Sequence, residues 1–393
     1  MNTTVPIAVT GASVLTALGN SIDALQAALR AGRTSVPRVS NVDAVETRIA
    51  GFDATQFVNV RGLRLYNRPT QLAICAAKLA LTESGCEGQI TGEHLGVVAA
   101  CTYAHLETLF EYDRSLVVNG LMRTNPTLMP IGIPSSLGAA VALSFGAKAL
   151  SVTLGDGGAS SLDAIGLAAR LLAAGRARAC LVVSAFTPCQ ELLLSASRAG
   201  LLAPPGDLFV FDRAHCGTAF CEAACALLLE RAEDAIARGA RLQATLGGQC
   251  STFAAERSEQ ARALSRAGEV ALRLAGIGAG ELALVSASAS GSPSDDRSEA
   301  EALVAVLGRA PVPMMAVKGN LGDSQDAAGL LQTIAAIAAL RAGTAAPIRG
   351  LVAPEVPGLR YATEELSIRG PHALVTSQAS TGACSALVVT GAA

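Results

Sequence analysis

The chain has 393 residues, 51% of them hydrophobic, which is enough apolar surface for a large core or two packed halves. Its formal net charge of −2, with both signs interspersed, leaves no basic footprint for nucleic acid and no polybasic patch for a membrane surface. Ten cysteines, none in a CxxC pair or clustered with histidine at metal-ligand spacing, predict no metal and read as buried reduced thiols of a cytoplasmic protein.

The opening MNTTVPIAVTG lacks a basic region before an apolar run, so it does not read as a signal peptide. A strand is predicted at Ile7–Val9, then a turn at Thr10-Gly11-Ala12 and a helix from Ile22 to Ala31. Asp23 and Arg30 suit the dipole of that helix, and Gly32 stops it. The polar stretch from Val36 to Val60 predicts a surface loop with a short edge strand. Periodicity predicts a helix over Pro69–Ser84 that buries Leu72, Cys75, Ala76 and Leu79. A strand at Leu95–Cys101 leads to a connection, Phe110 to Pro130, long enough to be functional. Pro126 to Ala147 is uncharged over a membrane-spanning length. Pro130, Pro134, Ser135 and Ser136 interrupt it, so a buried central helix from Ser135 is predicted instead of a span.

The stretch from Val152 to Gly175 reads as an apolar strand, a glycine-rich turn and a small-residue helix. Such a turn presents one residue where unpaired N–H groups and the helix dipole stabilise negative charge, as enzyme nucleophiles require. Ser160 and Ser161 read as helix-start residues, because a G-x-S-x-G elbow needs glycine two places after the serine; Asp156 reads as a cap. Gly155, Gly157 and Gly158 lack the GK[ST] ending of a phosphate loop. A further strand is predicted at Ala179–Ser184, with a helix over Ala232–Arg238. From Arg241 the same grammar restarts. Strands are predicted at Arg241–Gly247, Leu282–Ser286, Pro313–Val317, Ala373–Ser377 and Ser385–Val389, and helices at Glu259–Ala275, Ser298–Leu307 and Asp326–Arg341. The alternation indicates a layered α/β protein with a parallel sheet.

Several of these stretches resemble the β-ketoacyl-acyl-carrier-protein synthases. VTGASVLTALGNSIDALQAALRAGRTSV is similar to the family's opening, FVFDR at Phe209–Arg213 to its Pro-Phe-Asp turn, and Thr218–Glu230 to its Gly-Glu-Gly strand, with Cys221 and Ala223 where glycines are usual. The family's elbow carries cysteine, and counting back from Ser160-Ser161-Leu162 puts Gly158 there. In the frame Val285 to Pro293, Ser288 takes the first histidine position; in Lys318 to Gly329, Asp323 takes the second, while Lys318, Asp296 and Glu299 match. The loop Ala379 to Ser385 is small at both aromatic gate positions. The resemblance implies a thiolase fold: two pseudo-symmetric βαβαβαββ halves, residues 1–240 and 241–393, in an α-β-α-β-α layering.

A synthase of this family needs a thiolate to carry the acyl chain and two histidines for the oxyanion and for decarboxylation. With Gly158, Ser288 and Asp323 in those positions, no catalytic set is intact. The pattern resembles the chain-length-factor subunits of type II polyketide and fatty-acid-type systems, including aryl polyene pathways. The implied partners are an active ketosynthase homologue, in a heterodimer, and acyl-carrier protein. Substrates would arrive on its phosphopantetheine, and no cofactor is implied. Phe110, Leu116, Leu121 and Met129 are the large side chains implied to border the partner's tunnel. Two alternatives are an active synthase with an atypical site and a stand-alone acyl-binding homodimer. Cys101 and Cys189 lie outside the turn frame, and His94, His105, His215 and His372 read as loop or surface histidines.

Overall fold

The structure is a computed structural model in which residues 5–36, 48–206 and 208–392 are described; residues 37–47 of the loop expected at Val36–Val60 lie outside them. The first part of the chain forms β1 (Ile7–Thr16), α1 (Ile22–Arg30), α2 (Arg68–Ser84), β2 (Leu95–Ala100), α3 (Leu106–Asn119) and α4 (Leu128–Ile131). It continues with α5 (Ser135–Phe145), β3 (Leu150–Leu154), α6 (Ser160–Ala173), β4 (Ala179–Phe186), α7 (Gln190–Arg198) and β5 (Ala223–Arg231). Then come α8 (Ala232–Ala237), β6 (Ala244–Phe253), α9 (Gln260–Ala275), β7 (Leu282–Ser286), α10 (Pro293–Leu307), β8 (Pro313–Met315), α11 (Lys318–Leu321) and α12 (Ala328–Ala342). The chain closes with β9 (Thr344–Ala345), β10 (Arg360–Tyr361), β11 (Leu366–Ser367), β12 (His372–Gln378) and β13 (Ala383–Gly391).

Local chemistry sets the helix ends. The Ser21 hydroxyl accepts from the N–H of Ala24 to start α1, and the Asn67 side chain accepts from Thr70 to start α2, with Pro69 in the first turn. Gly85, in the left-handed region, ends α2.

Eleven of these strands form one continuous sheet, ordered β10-β8-β7-β12-β13-β6-β1-β5-β4-β2-β3, and β9 and β11 pair separately. Outward from the β1–β6 junction, one arm runs β1-β5-β4-β2-β3 and the other β6-β13-β12-β7-β8. Each arm has two antiparallel pairings followed by two parallel ones. This is the doubled topology of the thiolase fold, and it makes visible an internal repeat that residue identity does not show.

α6 and α12 lie between the arms, packed on strands of both, and residues 328–339 of α12 are buried on every side. A helix apolar all round belongs in a core. The central cluster joins Leu162 and Ile165 of α6, Leu330 and Ile334 of α12, and inward residues of both arms such as Val182 and Val375. α2 and α5 cover the outer face of the first arm, and α9 and α10 that of the second, which completes five layers. Along β4, Cys180 and Val182 face the centre while Leu181 and Val183 face outward, the two-sided burial expected of a covered strand.

Three expectations change. β1 does not turn at Thr10-Gly11-Ala12 but runs on to Thr16, with a bulge between Val9 and Gly11; a Cβ at Gly11 would collide with the Ala80 carbonyl of α2. Gly11 therefore serves close packing, whereas Gly19 serves the turn that bridges Thr16. The Phe110–Pro130 connection is mostly helical, in α3, a 3-10 turn at Leu121–Arg123 and α4. Finally, α5 is not a buried central helix: it covers one sheet face and leaves Leu143 exposed. No helix among the described residues is long and apolar enough to cross a membrane.

Candidate active-site cleft

The turn after β3 is built by long-range bonds. Gly157 takes a left-handed φ of 62° and its N–H donates to Thr102 Oγ1 (3.0 Å), while Ser160 Oγ accepts from the Asp156 N–H (2.7 Å). Asp156 makes no side-chain cap bond, contrary to its expected role. Asp326, from the turn before α12, reaches across to this helix start. Its Oδ2 accepts from the N–H groups of Thr102 (2.8 Å) and Tyr103 (2.9 Å), its Oδ1 from the Ser160 hydroxyl (3.3 Å), and burial pushes its carboxyl up.

The presented position is Gly158, and the β12–β13 turn has closed over it. A Cβ at residue 158 would stand 2.6 Å from the Gln378 carbonyl oxygen, and Ser377 Oγ donates to the Gly158 carbonyl (2.6 Å). The turn is pinned from outside: Gln378 Nε2 donates to the Asp295 carbonyl (2.6 Å), Ser298 Oγ donates to Gln378 Oε1 (3.1 Å), and Gln260 Nε2 donates to the Ala379 carbonyl (3.1 Å). The position thus lacks a nucleophile and also the room for one.

Gly158, Ser288, Lys318 and Asp323 line one cleft of about 390 Å³, with Tyr103, Leu192, Leu201 and Phe220 as its apolar wall. Lys318, 3% exposed, places Nζ 3.1 Å from Asp323 Oδ2 and 3.3 Å from Ser288 Oγ; Asp323 Oδ1 accepts from the Gln325 N–H (2.8 Å). At the rim Arg257 pairs with Asp295 (2.8 Å). Each cation therefore has its own carboxylate, and an oxyanion forming here would meet no uncompensated positive charge. Behind the cleft, buried Glu299 accepts from the N–H groups of Ser288 (2.8 Å) and Ala289 (2.7 Å) and from the Thr376 hydroxyl (2.6 Å). Burial outweighs these donors and pushes its carboxyl up to about 7.

Residues 4–235 match the N-terminal domain of β-ketoacyl synthases and residues 240–351 match the C-terminal domain. The chain belongs to the β-ketoacyl synthase family. Over 368 residues it is 24% identical to a 3-oxoacyl-[acyl-carrier-protein] synthase 2 of Synechocystis sp., covering 89% of this chain and 88% of that one. It is 29% identical over 406 residues to the tetracenomycin polyketide synthase ketoacyl synthase beta subunit of Streptomyces glaucescens, covering 99% of each. Among solved structures, the ishigamide ketosynthase/chain length factor superposes with a TM-score of 0.89 at 24% identity, over 99% of each chain.

In this β-ketoacyl synthase relative, neither Cys101 nor Cys189 is activated as a substitute nucleophile. Burial pushes Cys101 up to about 12 and raises Cys189. Cys75, Cys180 and Cys384 are buried as expected, but Cys216 is exposed and lines the cleft mouth. Sequence reasoning missed it, because nothing local separates it from the buried cysteines. The histidines also divide differently from expectation. His94 is exposed and His372 half-buried, but His105 is buried, and the His215 side chain is 5% exposed between Asp296 and Glu355. Phe110, Leu116, Leu121 and Met129 lie on the α3–α4 surface and do not line the cleft. A channel they could plug is not within this chain's cleft.

Proposed function

We propose that this chain is a non-condensing subunit of the chain-length-factor kind, which pairs with an active β-ketoacyl synthase in type II polyketide or fatty-acid-type biosynthesis, aryl polyene pathways included. The observation that carries the reading is the closed elbow: glycine at position 158, with the Gln378 carbonyl standing where a side chain would begin. The Lys318–Asp323 pair adds to it, since it occupies the cation that a reaction centre would use. The likeness to a chain named as a ketoacyl synthase beta subunit supports a role within an assembly.

A surface for such a partner is available. β3 ends the sheet with no strand beyond it among the described residues, and it is half-buried or exposed along its length. α5, which packs on β3, exposes Leu143, and the α3 region, joined to α5 through α4, exposes Val117, Val118, Leu121 and Met122. An unpaired edge flanked by large apolar side chains calls for cover. Phe110, Leu116, Leu121 and Met129 would then face the partner and set where its acyl chain stops. Acyl-carrier protein would bring the chain on its phosphopantetheine to that partner.

The open cleft favours one second reading, a stand-alone acyl-binding homodimer. Co-expression with an intact Cys-His-His ketosynthase from the same source, followed by native mass spectrometry, tests the proposal. A one-to-one heterodimer is expected; a homodimer that ignores the ketosynthase supports the second reading. Intact-mass measurement after incubation with acyl-carrier-bound substrate should show no adduct on this chain. A stoichiometric acyl adduct would overturn the non-condensing role.

A further inference from the structure

We infer that protonated His215 is a positioning residue that clamps one wall of the cleft, so that the wall is held in acid and released as pH rises. The wall begins at Phe211 and runs through His215 to Cys216, Gly217 and Thr218, which line the cleft. It is wedged between the start of α10 and residues 351–355. Asp296 Oδ2 accepts from the Phe211 N–H (2.7 Å), which holds that residue at a φ of 59°, a region a bulky side chain seldom adopts. Asp212 accepts from the N–H groups of Val352 (2.7 Å) and Ala353 (2.6 Å), and the Glu355 N–H donates to the Phe211 carbonyl (2.9 Å). Asp296 Oδ1 also accepts from Ser290 (2.7 Å) and Gly291 (3.1 Å), and the Gly291 carbonyl takes the N–H of Gly217 (3.1 Å). Both sides of this part of the cleft therefore hang on one carboxylate.

His215 lies at the centre of that arrangement. Its Nε2 is 3.3 Å from Glu355 Oε2 and its Nδ1 is 3.8 Å from Asp296 Oδ2, beyond direct hydrogen-bonding distance. The remaining charged neighbours are Arg297, which holds the other Glu355 oxygen, and Asp212, whose oxygens are taken by backbone N–H groups. Tyr361 donates its hydroxyl to the Val356 carbonyl and is kept neutral by burial. With His215 charged, the carboxylates of Asp296 and Glu355 face two cations; with it neutral, only Arg297 remains, on the outer side. Loss of the proton leaves buried negative charge in excess where the wall is anchored.

The neighbouring Asp296 carboxylate raises His215 above its ordinary 6.5, against the opposing effect of burial. A raised value in the folded state means that the stabilisation is complete below 6.5 and is lost as pH rises through the folded value. The transition therefore lies above pH 6.5.

Hydrogen–deuterium exchange over residues 211–218, measured from below pH 6.5 to well above it, tests the clamp on the intact chain. Each pH is referred to the same peptide in His215→Arg, which keeps the charge, and in His215→Gln, which removes it. Wild type should match the arginine variant in acid and move towards the glutamine variant in base, with a several-fold rise in relative exchange. Iodoacetamide labelling of Cys216, taken as a ratio to the arginine variant at each pH, should rise in the same window. If the glutamine variant does not fold, the wild-type to arginine ratios still decide. Ratios flat across the pH range would overturn the inference, as would wild type tracking the glutamine variant throughout.

Discussion

The carbonyl oxygen of Gln378 lies 2.6 Å from the point where any side chain at residue 158 must begin. A side chain at residue 158 is therefore opposed by the backbone of β12 as well as absent from the residue itself. Gly158→Cys has to displace the β12–β13 turn, which Gln260, Ser298 and Gln378 hold in place. We expect a loss of about 1–3 kcal/mol, the usual cost of overpacking, and no ketoacyl product, because Ser288 and Asp323 remain. Gly158→Ala, the smallest intruder, should lose a similar amount. Thermal melting and product chromatography check both, and robust condensation by the cysteine variant would show that Ser288 and Asp323 suffice.

The Lys318–Asp323 pair offers a second test. Removing one member leaves a buried, unmatched charge, so Lys318→Met or Asp323→Leu alone should cost about 3–5 kcal/mol. The double variant should lose much less than the sum, and denaturant titration of the four proteins gives the coupling. Additive losses would mean that the two charges do not depend on one another.

Glu299 predicts a pH effect of known sign. Its folded value near 7 exceeds its ordinary 4.5, so the stability linked to it is complete below pH 4.5 and is lost as pH rises through about 7. The full loss is on the order of 3 kcal/mol. Glu299→Gln should remove that slope, while lowering the overall level by about 1–3 kcal/mol because one of three backbone or hydroxyl donors loses its acceptor. The difference between the two stability curves across this window is the measurement; a constant difference would contradict the buried-carboxyl account.

On the α3–α4 surface, Leu121 is 73% exposed, Met129 47% and Phe110 37%. Alanine at these positions, or at half-buried Leu116, should leave the melting of the isolated chain almost unchanged for the exposed residues, within about 0.5 kcal/mol. In a reconstituted pair, a variant that trims the plug should lengthen product by whole extender units. Each buried methylene removed is worth roughly 0.8 kcal/mol against an acyl tail. A fall in yield with no shift in length would assign these residues to packing of the interface alone.

Much of the fold could be read ahead of the structure because strand and helix periods are local. β7 falls on Leu282–Ser286 as expected, and α9 and α2 differ from expectation by one residue at one end. Gly158, Ser288 and Asp323 could be singled out because each sits in a recognisable frame, and the structure brings them to one cleft. What stayed hidden depends on residues distant in sequence. Gly11 looks like a turn residue until the Ala80 carbonyl is seen against it. Gln378 has no motif of its own, and its carbonyl gains meaning only opposite Gly158. His215 and Glu355 are 140 positions apart, and only the packing of the His215 wall between α10 and residues 351–355 makes a charge cluster.

The two arms of the sheet share one strand order but finish differently. Beyond β8 comes β10, a two-residue strand carrying exposed Arg360, too short and too charged to template another chain; beyond β3 there is nothing among the described residues. An internally duplicated protein with two equivalent ends could polymerise, each copy offering a socket at both sides. Here the duplicated halves end unequally. A partner strand added at β3, as proposed above, would leave no second such edge among the described residues, so assembly through it would close as a pair and not propagate as a fibre.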